Sequence, residues 1–461
     1  MEVSVENCEV NCHLDPLVYL NNEVLERIFG YLDGASVIQA SMVNHSWNNI
    51  ITDTKKCMSK IAMKINNGFN SETFKMLMNS RRKYVNININ YSYIEVILYE
   101  IVEILINTKF NWKVVKFNCT IFSKMSLFNY FMFLIQKNVE ELYITFFCIS
   151  SEDEAVQPFE FSKLKMLDIV PQNYRSQMAR IDGAFVGCKK LEYFASMQLF
   201  DSKLVYDIMK NNESLEVLAV RSENIIDIFK HDVGHQFIFK LKEFRSFYFD
   251  YSSDIINENL NRFLQIQAAT LEELELGTFF GCDILATVIN NMRKVRKVEL
   301  VTDFQADFIP NWMMEPFVPN PSIVHLSFQN KWKQFDITKA FLDGTTNLET
   351  LHLGTMDQGL MEYVNDRFGR TLKHLKIGQF GALNFSDRNL FINLESVLII
   401  TPIIDEIKLV LSIARDRSNF EILLMDMLNI TIGDEKFIKN LINIILVKSI
   451  MRCGHRCICS L

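Results

Sequence analysis

The sequence predicts an α/β solenoid, a horseshoe with parallel strands inside and helices outside, preceded by a small all-α segment. Three observations predict it. An apolar-x-x-apolar-x-apolar pattern recurs along most of the chain. Between copies, apolar residues switch to helical spacing. The N-terminal stretch lacks the pattern and instead spaces Leu25, Ile28, Phe29 and Leu32 as one face of a helix. Composition agrees: 49% of the 461 residues are apolar and 22% charged, which is a folded class. Gly (16) and Pro (8) are scarce, which argues against linker-rich or glycine-loop architectures.

Taken in chain order, residues 1–13 are acidic and polar and are expected to be disordered. They lack the basic start and apolar stretch of a signal peptide. Residues 14–65 form the all-α segment. Its first helix carries Leu25 to Leu32, a second runs through Ala35–Met42, and a third carries Val43, Trp47, Ile50 and Ile51. About fifty residues of short helices make a marginal unit that needs a neighbour or a partner. Residues 66–111 are assigned as a linker with a first cap or repeat.

From 112 to 428 the repeat takes over. Its clearest copies are Leu271, Leu274, Leu276; Leu348, Leu351, Leu353; and Leu372, Leu375, Ile377. Ordered by first position, copies start at 112, 139, 164, 191, 215, 244, 271, 295, 323, 348, 372, 394 and 420, so spacings run from 22 to 29 residues. One copy could be chance, but thirteen in register are not. The end of each copy alternates with period two and reads as a strand with one buried face. The stripe Ile284, Leu285, Val288, Ile289, Met292 and the stripe Leu360, Tyr363, Val364, Phe368 read as intervening helices, as does Ile403, Ile404, Ile407, Val410, Leu411. Residues 429–450 are expected to cap the last rung, and 451–461 to be a flexible Cys-rich tail.

The repeat resembles the leucine-rich-repeat family, in its longer, helix-containing form. The N-terminal segment resembles the F-box: Leu20, Glu23, Val24, Leu25, Ile28, Phe29, Leu32, Val43 and Trp47 fall on the positions of that family's pattern, and Asn21 stands where the family has Pro. The resemblance implies that Leu20, Asn21, Glu23, Leu25, Ile28 and Phe29 bind a Skp-type adaptor, and through it a cullin-RING ubiquitin ligase. The repeat domain would then hold a protein substrate, raising its effective concentration without performing bond chemistry. A rival reading is a repeat scaffold with no ubiquitin role, its N-terminal helices acting as a cap that buries Leu20, Glu23 and Ile28 against the first repeat.

Signals for other functions are weak. His231 and His235 have zinc-protease spacing, but Asp232 replaces the required Glu and Gly234 interrupts the helix. Cys453, His455, Cys457 and Cys459 lack the paired spacing of a tetrahedral zinc site. No phosphate loop, dinucleotide glycine motif or nucleophile elbow occurs, so neither catalysis nor a cofactor is expected. A formal charge of −7 disfavours nucleic acid. The apolar windows are too short or too charged to span a bilayer. Cytoplasmic or nuclear residence with reduced cysteines follows as an expectation.

If the leucines face inward, the alternate residues form a continuous wall on the concave face. Read down the stack, the substrate-binding candidates are Tyr248 and Asp250, Glu273 and Glu275, Lys297 and Glu299, His325 and Gln329, His352, then His374 and Lys376, with Ser327 and Thr350 in the same columns. The wall is acidic in its middle and histidine-bearing later, which suits a partner with basic groups toward the middle.

Overall fold

In the computed structural model, the residues described are 20–92, 94–118, 121–122, 124–149, 156–171, 181–196, 202–221, 224–225, 237–247, 254–277, 282–301, 317–328, 335–380, 391–400 and 421–424. Residues 1–19, the expected C-terminal cap and tail, the stripe at 403–411, and His231 and His235 lie outside them. The chain divides into two compact units, residues 1–189 and 190–461.

The first unit opens with α1 (Asn22–Tyr31), α2 (Gly34–Ser41), α3 (His45–Asp53) and α4 (Lys55–Met58). Each of the first three starts on a side chain that accepts from a first-turn amide: Asn21 from Val24, Asp33 from Ser36, and Asn44 from Trp47. Such caps satisfy amides that the helix itself leaves unpaired. Leu25, Phe29, Val37, Ala40, Ile50, Ile51, Cys57, Met58 and Ile61 make the core, with Phe29 and Trp47 ring centroids 5.0 Å apart. Lys60 Nζ donates to the Gly30 and Leu32 carbonyls at 2.7 and 2.6 Å, closing the end of α1. Gly34 is there of necessity, since a Cβ would sit 2.4 Å from the Lys60 carbonyl oxygen.

Strands then follow at once: β1 (Ala62–Asn66), α5 (Ser71–Asn79), β2 (Asn86–Asn90), α6 (Leu98–Ile106), β3 (Val114–Asn118), β4 (Ile121–Phe122), α7 (Met125–Ile135), β5 (Glu141–Ile149) and β6 (Met166–Pro171). Strands β1, β2, β3, β5 and β6 pair in parallel, in sequence order, and β4 pairs with β5. Met63, Ile87, Val115, Leu142 and Leu167 lie in register as one buried column. Parallel pairing therefore begins at Ala62, ahead of residue 112 where the sequence pattern starts. In these two early rungs Lys60 and Tyr84 occupy the leading position, and a Lys there hides the pattern.

Tyr84 is partly buried against the helical core. Arg82 donates to Ser41 Oγ (3.0 Å) and Asn48 Oδ1 (3.2 Å), and Asn86 Nδ2 to the Ser59 carbonyl (2.6 Å). The helices and the first rungs thus share one packed body.

The second unit repeats the plan: β7 (Tyr193–Ser196), α8 (Ser202–Asn211), β8 (Val217–Arg221), β9 (Glu243–Phe247), α9 (Asp254–Gln267), β10 (Glu273–Gly277), α10 (Cys282–Asn291), β11 (Lys297–Leu300), β12 (His325–Phe328), α11 (Phe335–Asp343), β13 (Thr350–Met356), α12 (Gln358–Phe368), β14 (His374–Phe380), β15 (Ser396–Ile399) and β16 (Glu421–Leu424). All described pairings are parallel and consecutive. Phe244, Leu274, Val298, Leu326, Leu351, Leu375 and Val397 form a buried column. Continuous apolar columns of this kind are how each unit buries a face only against its neighbours.

Amide side chains also tie successive units. Asn212 accepts from the Leu191 amide (2.7 Å), Gln267 from Leu241 (3.0 Å) and Asn365 from Phe391 (2.7 Å). Asn320 Nδ2, fully buried, faces the carbonyls of Val288, Ile289 and Met292 at 3.4, 3.1 and 3.0 Å. Buried polar backbone needs such partners, and here the amides come from helix ends and loops rather than from a fixed position behind the last leucine. Among the described residues, no helix is long and apolar enough to cross a membrane.

Candidate functional site

Two surfaces carry the residues singled out by sequence. The first is α1. Asn21 is exposed and serves as its cap, Glu23 is exposed, and Leu20 is half-buried against the helical core. Leu25 and Phe29 are 5% and 1% exposed and belong to that core, which corrects their assignment as adaptor contacts: their side chains are already spent on holding the helices together. Ile28 differs, being 40% exposed. With Val24 and Tyr31 it forms a second apolar stripe at i, i+4, i+7 on α1, and Ile38, Met42 and Val43 add exposed apolar groups on and after α2. The signal was present in the sequence, but the buried stripe at Leu25, Phe29 and Leu32 masked it.

The second surface is the exposed face of β9–β15. Strand register puts Glu243, Glu273, Lys297, His325, Thr350, His374 and Ser396 in one column. Arg245, Glu275, Glu299, Ser327, His352, Lys376 and Leu398 fill the next. The first rung departs from expectation. Tyr248, Asp250 and also Gln329 lie outside the described residues, and the positions equivalent to Glu273 and Glu275 are Glu243 and Arg245. The motif match at Phe244 is offset by three residues from the true register because Ser246, fully buried, occupies the third inward position of β9. Phe244, Phe247 and Phe249 then imitate the motif.

On β9–β11 the charges interlock. Arg245 pairs with Glu243, and its Nε lies 3.7 Å from Glu275. Lys297 Nζ lies 2.9 Å from Glu299 and 3.8 Å from Glu273. These pairs are partly exposed, so each adds at most about 1 kcal/mol. Burial, then the neighbouring Glu299 charge, raises the Glu275 pKa despite the opposing Arg245 and Lys297. For Lys297, burial is the largest single effect and disfavours the charge, but the bond to Glu299 and the Glu299 and Glu273 charges together outweigh it, and the pKa rises. His325 Nε2 is 3.7 Å from Glu299, yet burial outweighs that carboxylate and lowers the imidazole pKa, so the contact is no ion pair at neutral pH.

Toward β13–β15 the character changes. His352, expected on an open wall, is only 6% exposed. Its Nδ1 lies 2.8 Å from Ser327 Oγ, while Nε2 is buried with no hydrogen-bond partner. Burial pushes this imidazole down to about 3, and Lys376 and His325 act in the same direction. His374 is exposed and shares a 2.9 Å hydrogen bond with Ser396. Among the described residues no cluster of His, Cys, Asp and Glu is suited to a metal ion.

Comparison with known families matches residues 17–58 to the F-box domain. None of the curated proteins compared matches the chain. The chain thus carries an F-box, formed by α1–α4 and their core, and its exposed Val24, Ile28 and Tyr31 lie within the matched span.

Proposed function

We propose that the chain is the substrate-recognition subunit of an SCF-type ubiquitin ligase. Its F-box binds a Skp-type adaptor, and its strand–helix units, a leucine-rich-repeat array, bind a protein substrate on the exposed strand face. The observation that carries this reading is the apolar stripe of Val24, Ile28 and Tyr31 on a matched F-box. An exposed apolar stripe is costly unless a partner covers it. The rival, a plain repeat scaffold whose helices only cap the array, calls for Leu20, Glu23 and Ile28 to be turned inward against the first repeat; Glu23 and Ile28 are exposed, and Leu20 is half-buried against the helical core. The chain's contribution is positional: it holds substrate near the ubiquitin donor.

The test is co-expression with a Skp-type adaptor and purification through a tag on the adaptor. Val24→Asp with Ile28→Asp should abolish co-purification while circular dichroism stays that of the wild type. Retained co-purification in this folded double variant would leave the scaffold reading as the better one. Leu25→Asp is the contrasting control and should unfold the F-box itself.

A further inference from the structure

The strand face of the second unit divides by charge. On β9–β11 the outward positions are Glu243, Arg245, Glu273, Glu275, Lys297 and Glu299. Four carboxylates stand there against two cations, and each cation already touches two of the carboxylates. On β12–β15 the same columns carry His325, Ser327, Thr350, His352, His374, Lys376, Ser396 and Leu398, with no carboxylate among them. A merely solvated face has no reason to sort its charges, and interfaces gain specificity from complementary potentials.

A second observation falls in the half without carboxylates. The buried His352 Nε2 lacks a partner, while Ser327 is in place to donate to Nδ1. In that tautomer Nε2 carries the ring proton and is a donor awaiting an acceptor. Register sets Lys376 directly beside His352 on the next strand.

We infer that this face binds an extended peptide segment of divided charge, its basic side chains over Glu273, Glu275 and Glu299 and an acidic group beside Lys376 and His352. The inference rests on the reading of this face as the substrate surface. From β9 to β14 there are five strand spacings, roughly 24 Å, which about seven extended residues span.

Four fluorescein-labelled peptides of about ten residues test it, by anisotropy at low ionic strength on the full chain with its adaptor. One has a Lys-rich half followed by a Glu-rich half, one has the halves reversed, one is all Lys-rich and one all Glu-rich. One divided peptide should bind roughly tenfold more tightly than either single-sign peptide. Glu273→Lys and Lys376→Glu should each erase that preference, and the two together should switch it to the opposite order. Glu273→Gln and Lys376→Gln should weaken it without switching. Equal binding of the Lys-rich and divided peptides, or a preference that survives both reversals, overturns the inference. Adaptor capture is scored on the same samples. An adaptor complex without the divided-peptide preference overturns this inference alone; the preference without adaptor capture overturns the ligase reading alone.

Discussion

Asn21 holds its side-chain oxygen 2.9 Å from the Val24 amide and so starts α1 by a hydrogen bond, at the position where the F-box pattern has Pro. Its φ of −68° already suits a proline ring. Asn21→Ala should therefore cost about 1 kcal/mol. Asn21→Pro should lose less, because the ring restricts the unfolded chain while forfeiting the cap; thermal unfolding of the two variants checks the order. His352 gives a pH signature. Its folded pKa of about 3 lies below the ordinary 6.5, so the unfolded state takes up the proton first. Stability is complete above pH ~6.5 and falls as pH drops toward 3, by at most about 1.4 kcal/mol per unit from this group. Denaturation titrations at several pH values should show His352→Leu with a flatter acid limb than wild type. A slope unchanged by the substitution would assign the acid loss to other groups.

At the scale of elements, the strands of the second unit were legible because buried positions recur with period two and few polar interruptions. The exceptions are physical. Ser246 put a small polar side chain at an inward position, and three phenylalanines offered a false register beside it. Lys60 concealed the rung of β1, since it leads that strand while also closing the end of α1. The candidate site was legible in its middle columns, Glu273 to Lys376, and illegible where burial depends on neighbouring rungs, as at His352. Inter-unit ties could not be read at all: nothing in the sequence around Asn320 says that its amide reaches the carbonyls of Val288 and Ile289 in the preceding helix and of Met292 just after it. Asn320→Ala leaves those groups unpaired and should cost about 1–3 kcal/mol, measured as a lowered urea midpoint. Gly34→Ala should destabilise the F-box through the clash with the Lys60 carbonyl, seen as a lowered melting temperature.

For the whole molecule, the exposed apolar stripe of the F-box and the charged strand face of β9–β15 belong to different compact units of one chain. The F-box and the first rungs share a core through Ile61 and Tyr84, and Arg82 bridges them by donating to Ser41 and Asn48. Arg82→Ala should loosen that junction by about 1–3 kcal/mol. Hydrogen exchange should then speed up in α2 and α3 and stay unchanged in β5 and β6; uniform exchange across both would show that the bridge carries nothing.

The junction between α4 and β1, only three residues long, also bears on how such a chain can be inherited. A strand–helix unit from the middle of the array can be duplicated or lost in one recombination event, because its neighbours offer equivalent faces on both sides. A crossover between Met58 and Ala62 has no such tolerance. It would strip Ile61 from one partner's core and Lys60 from the end of α1. Gene shuffling that exchanges F-boxes among chains of this design should therefore carry the first two rungs along, and sequence drift there should track the F-box rather than the rest of the array.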